Sequence, residues 1–430
     1  MDKINYNAPD YKRSRVAYMS QCTFEYFTSL LVADAFLAKL LKHIGVSDAL
    51  TGVISSIVSL AFIFQLLSIW AVKIKISTKK LVIITDTTSQ VFFMLLYLIP
   101  FLPDTFNPIK PLLVTLGILI AYFAKCLVFS IAFKWGNSFV DPGVRAYFSA
   151  KKEIVSLISG IAFTLIIGAI TDGFEERGNL EGGFLFISII LLVVNISNFV
   201  SFMLIKKERE DMHDADNLPL KKVFKETMGN KNFRSIIYLT ILFDSARYIL
   251  LGYIGLFKND LLPSLLFVQV VNMLGNFARM GVSMPFGRFS DKKSFAKGFE
   301  LGLWILAVAY LCITFTTKTT WWLIIGYTVL MNISTAGTNA NSFNITYSYV
   351  PSAYITQAMA FKNSIGGICG FLASLVASRI VSVAGADNYI RLFGFELFSQ
   401  QILAIIGFVL ICIAILFLRK VIAKQTVMKQ

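Results

Sequence analysis

The chain has 430 residues, of which 56% are hydrophobic and only 15% are charged, and its mean hydropathy is +0.69. A soluble protein of this length needs more charge to cover its surface, and the high apolar and aromatic content excludes disorder for most of the chain. The formal net charge of +15 raises the question of a nucleic-acid partner, which the placement of the basic residues answers below.

Twelve stretches are long and apolar enough to cross a bilayer, which takes about 20 mainly apolar residues in a helix. The polar N-terminal residues run directly into the first stretch without the pattern of a cleavable signal peptide, so this span is expected in the mature protein. The sequence therefore predicts an all-α membrane protein with twelve transmembrane helices. The predicted spans are 16–38, 47–72, 81–102, 111–133, 154–171, 183–205, 235–257, 264–286, 298–316, 321–345, 355–381 and 396–418.

The lysines and arginines are concentrated in alternate loops. If both termini are cytoplasmic, about 29 of the 40 basic residues lie on the cytoplasmic side and about 8 lie on the opposite side. The net positive charge therefore reflects an excess of lysine and arginine in the cytoplasmic loops of a membrane protein. We expect a multi-pass protein of the cell membrane with both termini in the cytoplasm, and no nucleic-acid partner.

The two halves of the sequence look like copies of one unit. Residues 140–160 resemble residues 350–370, with a proline near the start of each and a helix rich in small residues after it. Three charged residues near the start of the chain recur 219 residues later. Several matches in the same order indicate duplication of a six-helix unit, which is a transporter architecture. The recurring pairs are Arg15 with Arg234, Glu25 with Asp244 and Lys39 with Lys258.

Segment 206–234 separates the halves. Its first part is densely charged and typical of a solvated connector, and its second part has the pattern of a short amphipathic helix whose lysines reach lipid headgroups. We therefore expect an N-terminal six-helix bundle at 1–205, a cytoplasmic connector at 206–234, and a pseudo-symmetric C-terminal bundle at 235–430.

The most specific motif follows the eighth span. The sequence GRFSDKKSFAK at 287–297 resembles the signature loop Gly-x-Leu-x-Asp-Arg-x-Gly-Arg-Arg of the major facilitator superfamily, at the glycine, the aspartate and the first basic position. The resemblance covers nearly the whole chain and implies a secondary transporter, not an enzyme. It also implies that Asp291 and Lys292 contribute to a cytoplasmic gate and that Gly287 allows a close helix approach.

Two departures from the family pattern bear on mechanism. The corresponding segment of the first half, 70–80, keeps the basic residues but lacks both the glycine and the aspartate. The fifth span lacks the proline of the Gly-Pro motif associated with the drug/proton antiporters of this family. This absence favours symport or facilitated uptake.

Five ionisable residues within the predicted spans are the strongest candidates for a functional role, whereas Asp34, Asp86, Glu300 and Glu396 lie nearer span ends, where water is within reach. An ionised side chain within a bilayer is costly, so each is expected to face a water-filled cavity or an opposite charge. The two acids are expected to couple protons or bind substrate, with a structural ion pair to a nearby base as the alternative. The five are Glu25, Lys125, Asp244, Arg247 and Arg279.

Two predicted spans also carry polar residues along one face. Amides and hydroxyls supply donors and acceptors without net charge, as a sugar requires, and hydrogen bonding between helices is the alternative. The stripes are Gln269, Asn272, Asn276 and Arg279 in the eighth span, and Asn332, Thr335, Asn339 and Ser342 in the tenth.

The sequence thus predicts a secondary active transporter that moves a small polar solute, with a sugar or related polyhydroxyl compound favoured, by alternating access. Symport with a proton or a sodium ion is expected, in a protein that functions as a monomer among membrane lipids. Transport of an organic anion such as a sugar acid, efflux by antiport, a membrane-embedded transferase and a lipid flippase stay open. The five cysteines and two histidines form no metal-binding pattern, so no metal or other cofactor is expected.

Overall fold

The computed structural model describes most of the chain, and the described residues are mostly helical. The loop at 70–80 and the connector at 206–234, with its predicted amphipathic helix, lie largely outside them. The described residues are 5–67, 77–141, 145–207, 225, 228–349, 355–385, 389–392 and 395–422.

The helices follow the predicted apolar blocks closely. They are α1 (Pro9–Leu31), α2 (Asp34–His43), α3 (Asp48–Ser55), α4 (Ile57–Ala61), α5 (Thr78–Leu96), α6 (Lys110–Leu127), α7 (Phe129–Ser138), α8 (Arg145–Glu176), α9 (Leu180–Leu204), α10 (Lys231–Leu261), α11 (Leu265–Lys292), α12 (Phe295–Thr314), α13 (Leu323–Tyr349), α14 (Ile355–Ala384) and α15 (Ser399–Lys420). Short 3₁₀ segments cover Phe62–Leu67, Ile99–Phe101 and Asp104–Ile109.

Nine segments of the described chain are long and apolar enough to cross a membrane. The predicted first, third and tenth spans correspond to α1, α5 and α13, which are helical but do not belong to these nine. The prediction of a helical membrane protein is confirmed, while twelve crossings are not all shown. The nine segments are Asp48–Leu67, Asp104–Leu127, Lys151–Glu176, Leu180–Leu204, Lys231–Leu261, Leu265–Lys292, Phe295–Thr314, Ala358–Ala384 and Ser399–Lys420.

Several helices begin at a side-chain cap. Asn230 accepts hydrogen bonds from the backbone N–H groups of Asn232 and Phe233 at 2.9 and 3.3 Å, and α10 begins at the next residue. Ser77 caps α5 in the same way. Such caps satisfy donors that a helix leaves unpaired in its first turn.

The chain forms two compact units, and the first comprises residues 1–36 and 64–217. In this unit α1 packs against α8 and α9, and α5 packs against α6 and α9. An aromatic cluster joins α1, α7 and α9, because the fully buried ring of Trp135 lies edge-on to Tyr18 and also contacts Phe202. These contacts fix the walls of the polar cavity described below.

The second unit comprises residues 37–63 and 218–430, so the segment with α3 and α4 groups with α10 and α14. The predicted bundle limits of 1–205 and 235–430 stay a prediction. The close approach of α3 and α10 depends on two glycines. A Cβ atom at Gly252 would overlap the carbonyl oxygen of Gly52, and one at Gly52 would overlap the ring of Tyr253. Small residues allow this backbone contact.

A two-stranded hairpin precedes the last helix, where the sequence predicts only a loop and a helix. Strand β1 (Tyr389–Leu392) pairs antiparallel with β2 (Phe395–Phe398), and the Arg391 guanidinium lies 2.7 Å from Glu396 Oε1 across the strands. The predicted span 396–418 therefore begins too early. Residues 396–398 belong to strand β2, where successive side chains point to opposite faces, and the helix starts at Ser399.

We predict that Gly252→Val lowers the free energy of unfolding by about 1–3 kcal/mol, because the added methyl groups force α10 away from α3. Thermal unfolding of the purified protein in detergent measures the change. Gly281→Val is the matched control, because a Cβ atom at Gly281 of α11 meets no described atom within 4 Å. Equal losses for the two variants would contradict the packing argument.

Candidate functional site

Glu25 and Lys125, both predicted from the sequence, meet inside the first unit. Lys125 Nζ of α6 lies 2.9 Å from Glu25 Oε1 of α1, and the two side chains are 23% and 27% exposed. Gln21, one turn before Glu25, donates from Nε2 to Glu25 Oε2 at 3.2 Å. The structure therefore forms the ion pair that the sequence offered as the alternative to a free carboxylate.

This pair lines a cavity of about 240 Å³ enclosed by residues of the first unit. Lys152 of α8 reaches the same cavity and places its Nζ 5.1 Å from the centre of the Tyr18 ring. Phe129 adds a ring that is 48% exposed. The cavity thus offers a carboxylate, an amide, two ammonium groups and aromatic surface.

Asp86 of α5 is the second acid of this cavity, although the sequence predicts it near a span end. Its side chain is only 8% exposed, and its Oδ2 accepts a hydrogen bond from Asn198 Nδ2 of α9 at 2.6 Å. The helix begins at Thr78, three residues before the predicted span, so Asp86 lies in the third turn of α5 instead of at its edge.

In the second unit, Asp244 and Arg247 lie three residues apart on α10 as predicted, but their charged groups make no direct ion pair within 4 Å in the described residues. The Asp244 carboxylate lies against the backbone of Gly366, where a Cβ atom would overlap it. The guanidinium carbon of Arg247 lies 5.9 Å from the centre of the Tyr248 ring. The two groups attract each other at longer range.

Lys362 of α14, which the sequence analysis did not nominate, is a buried cation of the second unit. It is 3% exposed, and its Nζ donates to Ser342 Oγ at 2.9 Å. It also interacts electrostatically with Asp244. A sequence signal for it existed, because Lys152 and Lys362 occupy matching positions in the segments 140–160 and 350–370.

Two residues of the polar stripe of α11, Gln269 and Asn272, form hydrogen bonds within the second unit. Asn272 Oδ1 accepts from Lys258 Nζ at 2.9 Å, and its Nδ2 donates to Gln269 Oε1 at 3.5 Å. Gln269 is 5% exposed. Asn276 and Arg279 are half-buried further along the helix. At Asn272 the bond from Lys258 joins α10 and α11, which is the interhelical alternative that the sequence left open, whereas the bond to Gln269 lies within α11.

Two of the four stripe residues of α13 bond to their own helix, and Ser342 accepts from Lys362 of α14. Asn332 Nδ2 donates to the carbonyl oxygen of Thr328 at 2.9 Å, and Thr335 Oγ1 donates to that of Met331 at 2.8 Å. Asn339 is exposed. The helical periodicity predicts that the four residues share one face, but it cannot show that the donors of Asn332 and Thr335 turn back to the backbone of their own helix.

The proposed gate segment, 287–297, is mostly helical, and only Lys293 and Ser294 separate α11 from α12. Helix α11 continues through Pro285 to Lys292, so Gly287 and Asp291 lie in its last turns, and Asp291 and Lys292 are exposed. A Cβ atom at Gly287 meets no described atom within 4 Å, so the close helix approach expected there stays a prediction. A close contact is present at Gly298 of α12, where a Cβ atom would overlap Ser290 Oγ.

A larger cavity of about 700 Å³ lies at another place in the second unit. The hairpin residues Tyr389 and Phe398 line it, together with an ion pair in which Lys42 Nζ lies 2.9 Å from Asp260 Oδ1. The hydrogen bond to Asp260 raises the pKa of the Lys42 ammonium. Lys42 is 61% exposed, so the pair contributes little stability.

The sequence of residues 19–374 matches the Major Facilitator Superfamily. The chain belongs to this family of transporters. No curated protein shows significant sequence similarity to this transporter.

Three solved structures share the fold of this superfamily member at low identity. A variant of the nucleoside transporter NupG has a TM-score of 0.72 and 12% identity, over 95% of this chain and 98% of that chain. A D-xylose-proton symporter has a TM-score of 0.70 and 12% identity, over 95% and 96%. A bacterial homologue of the iron transporter ferroportin has a TM-score of 0.59 and 13% identity, over 96% and 99%. These likenesses establish the fold.

We predict that Glu25 and Lys125 are energetically coupled. In a double-mutant cycle with Glu25→Gln and Lys125→Met, the double variant should be more stable than the sum of the single losses implies, by about 0.5–3 kcal/mol. Each single change leaves one charge without its partner. Thermal unfolding in detergent measures the four proteins, and additive losses would show that the 2.9 Å contact carries no coupling.

Proposed function

We propose that this protein is a secondary active transporter that moves a small polar solute, with a sugar or related polyhydroxyl compound favoured, in symport with protons. The observation that carries the proposal is the Glu25–Lys125 pair on the wall of the 240 Å³ cavity. Ionised groups inside a membrane are retained where they face water, a partner or a substrate. This pair has a partner and keeps about a quarter of each side chain exposed.

The cavity chemistry suits a sugar-sized solute. Its volume lies just below the ~300–1,000 Å³ range of ligand pockets, which fits a solute of monosaccharide size. Glu25 and Gln21 offer hydrogen-bonding groups to hydroxyls, and the exposed ring of Phe129 offers apolar surface to carbon-bound hydrogens. Two structures with the same fold are named as a nucleoside transporter and a D-xylose-proton symporter, and both solutes contain a sugar.

Alternating access follows from the proposed six-plus-six arrangement, in which two repeats move about a central site. We also propose that both termini face the cytoplasm, because that orientation places most lysines and arginines on the cytoplasmic side. We further propose that the protein functions as a monomer.

The direct test is uptake by proteoliposomes that contain the purified protein. Labelled D-xylose, uridine and D-glucuronate are offered singly, with an inward proton gradient, with a sodium gradient and with neither. Accumulation of a solute that depends on the proton gradient is the expected result. Uptake that no ion gradient changes would overturn symport, and outward movement against an inward proton gradient would indicate antiport.

We predict that Glu25→Gln lowers uptake of the transported solute about tenfold or more, because a hydrogen bond to a charged group contributes about 1.5–3 kcal/mol and 1.4 kcal/mol corresponds to tenfold. Initial rates over a range of solute concentrations measure the change. Glu300→Gln is the control, because Glu300 of α12 pairs with Arg419 of α15 outside the cavity. Equal uptake by both variants would remove Glu25 from the site.

A second candidate substrate class is an organic anion such as a sugar acid. The charges of the second unit favour it, because Arg247 and Lys362 lie near the single acid Asp244. Arg247 Nε is also buried without a hydrogen-bond partner in the described residues. Competition between unlabelled D-glucuronate and D-glucose for the labelled solute separates the classes, since an anion site discriminates strongly against the uncharged sugar.

A further inference from the structure

The two acids of the first-unit cavity have different partners. Glu25 contacts Lys125 at 2.9 Å, whereas the Asp86 carboxylate accepts from the uncharged amide of Asn198 at 2.6 Å. No lysine or arginine nitrogen lies within 4 Å of Asp86 among the described residues. Asp86 is also the more buried acid, with 8% of its surface exposed. A buried carboxylate without a counter-ion is costly when it is ionised and much less costly when it carries a proton.

The charged groups around Asp86 are engaged elsewhere. Helix α1 presents Glu25, α6 presents Lys125 and α8 presents Lys152 to the shared cavity. Lys125 is held by Glu25, and Lys152 lies over the ring of Tyr18. Helix α9 contributes Asn198, and the described lining side chains of α7 are uncharged. Among the described residues, Asp86 is therefore the acid of this cavity whose carboxylate no lysine or arginine contacts directly.

We propose that Asp86 binds the coupling proton, while Glu25 and Lys125 hold the solute. This inference rests on the proposed proton symport. No group of three His, Cys, Asp or Glu residues that suits a metal occurs in the described part of the chain.

The shared lysine provides the coupling. Lys125 interacts electrostatically with both Glu25 and Asp86. When Asp86 releases its proton to cavity water, its new negative charge competes with Glu25 for Lys125 and loosens the pair that holds the solute. When Asp86 takes up a proton from water, the competition ends and the Glu25–Lys125 pair closes. Proton binding at Asp86 and solute binding at the Glu25–Lys125 pair therefore favour each other, as symport requires.

Infrared difference spectroscopy during a pH titration tests the proton site without any solute. We expect a carboxylic C=O stretching band that changes with pH in the wild type and in Glu25→Gln, and that is lost in Asp86→Asn. Asp104→Asn is the matched control, since Asp104 is an exposed acid of the same unit whose partner is Asn107. A band that persists unchanged in Asp86→Asn would overturn the proposal.

A second variant serves if Asp86→Asn does not fold. Asn198→Ala removes the amide that stabilises the ionised carboxylate, so the pH midpoint of the same band should move upward by about 1 pH unit or more. An unmoved midpoint would show that the titrating group is not Asp86.

Transport assays separate this inference from the proposed function. In proteoliposomes with the labelled solute that the panel identifies, Asp86→Asn should keep solute exchange at equal concentrations but lose accumulation driven by the proton gradient. Full accumulation by Asp86→Asn overturns the inference and leaves symport standing. Absence of gradient-driven uptake in the wild type overturns symport, whereas the infrared titration still decides whether Asp86 binds a proton.

Discussion

The hydrocarbon core of a membrane offers no hydrogen-bond partner, so a chain that crosses it must satisfy its polar groups from within. Helices do so for the backbone, and in this transporter many hydroxyls and amides use the same backbone. Thr328, Thr338 and Asn341 of α13 each donate to the carbonyl oxygen four residues earlier. The remaining polar groups gather where a cavity or an opposite charge is available. This constraint explains why charges are few in the spans and why they are grouped.

The two units resolve that constraint differently, although their sequences are related. Glu25 and Asp244 are matched in the repeat, and so are Lys152 and Lys362. In the first unit the acid has a direct partner in Lys125. In the second unit Lys362 is instead held by Ser342. Under the predicted duplication, the positions of these charged groups are kept while their partners differ, which gives them different electrostatic surroundings.

Much of the fold could be predicted, because apolar runs of membrane-crossing length leave few alternatives to a helix. The pairing of Glu25 with Lys125 was predictable as one of two outcomes, since isolated charges in a membrane require a partner. Asp86 was misplaced because the apolar run starts later than the capped helix does. The hairpin before α15 could not be predicted from hydropathy alone, because Arg391 and Glu396, which face each other across its two strands, make the segment look like a polar loop.

Residue type and helical spacing alone also could not separate two explanations that require the same periodicity. Gly287 matches the family motif, but among the described residues the close contact is between Gly298 of α12 and Ser290 of α11. Helix α11 continues beyond the motif glycine to Lys292. The amides of α13 lie on one face in either explanation, and only atomic positions show where their hydrogens point. Helical spacing determines direction around an axis, but it does not determine the partner of a flexible side chain.

Self-bonded polar groups have a mechanical consequence for α13. A helix whose amides bond to its neighbours must break those bonds in order to slide, whereas a helix whose amides bond to its own backbone carries them along. In the described part of α13, Asn332 and Thr335 turn inward to their own helix, while Ser334 donates across to Gly302 of α12 at 2.8 Å. The described part of α13 is thus tied to its neighbours through Ser334 and through Ser342, which accepts from Lys362 of α14, whereas its self-bonded groups place no such limit on its movement.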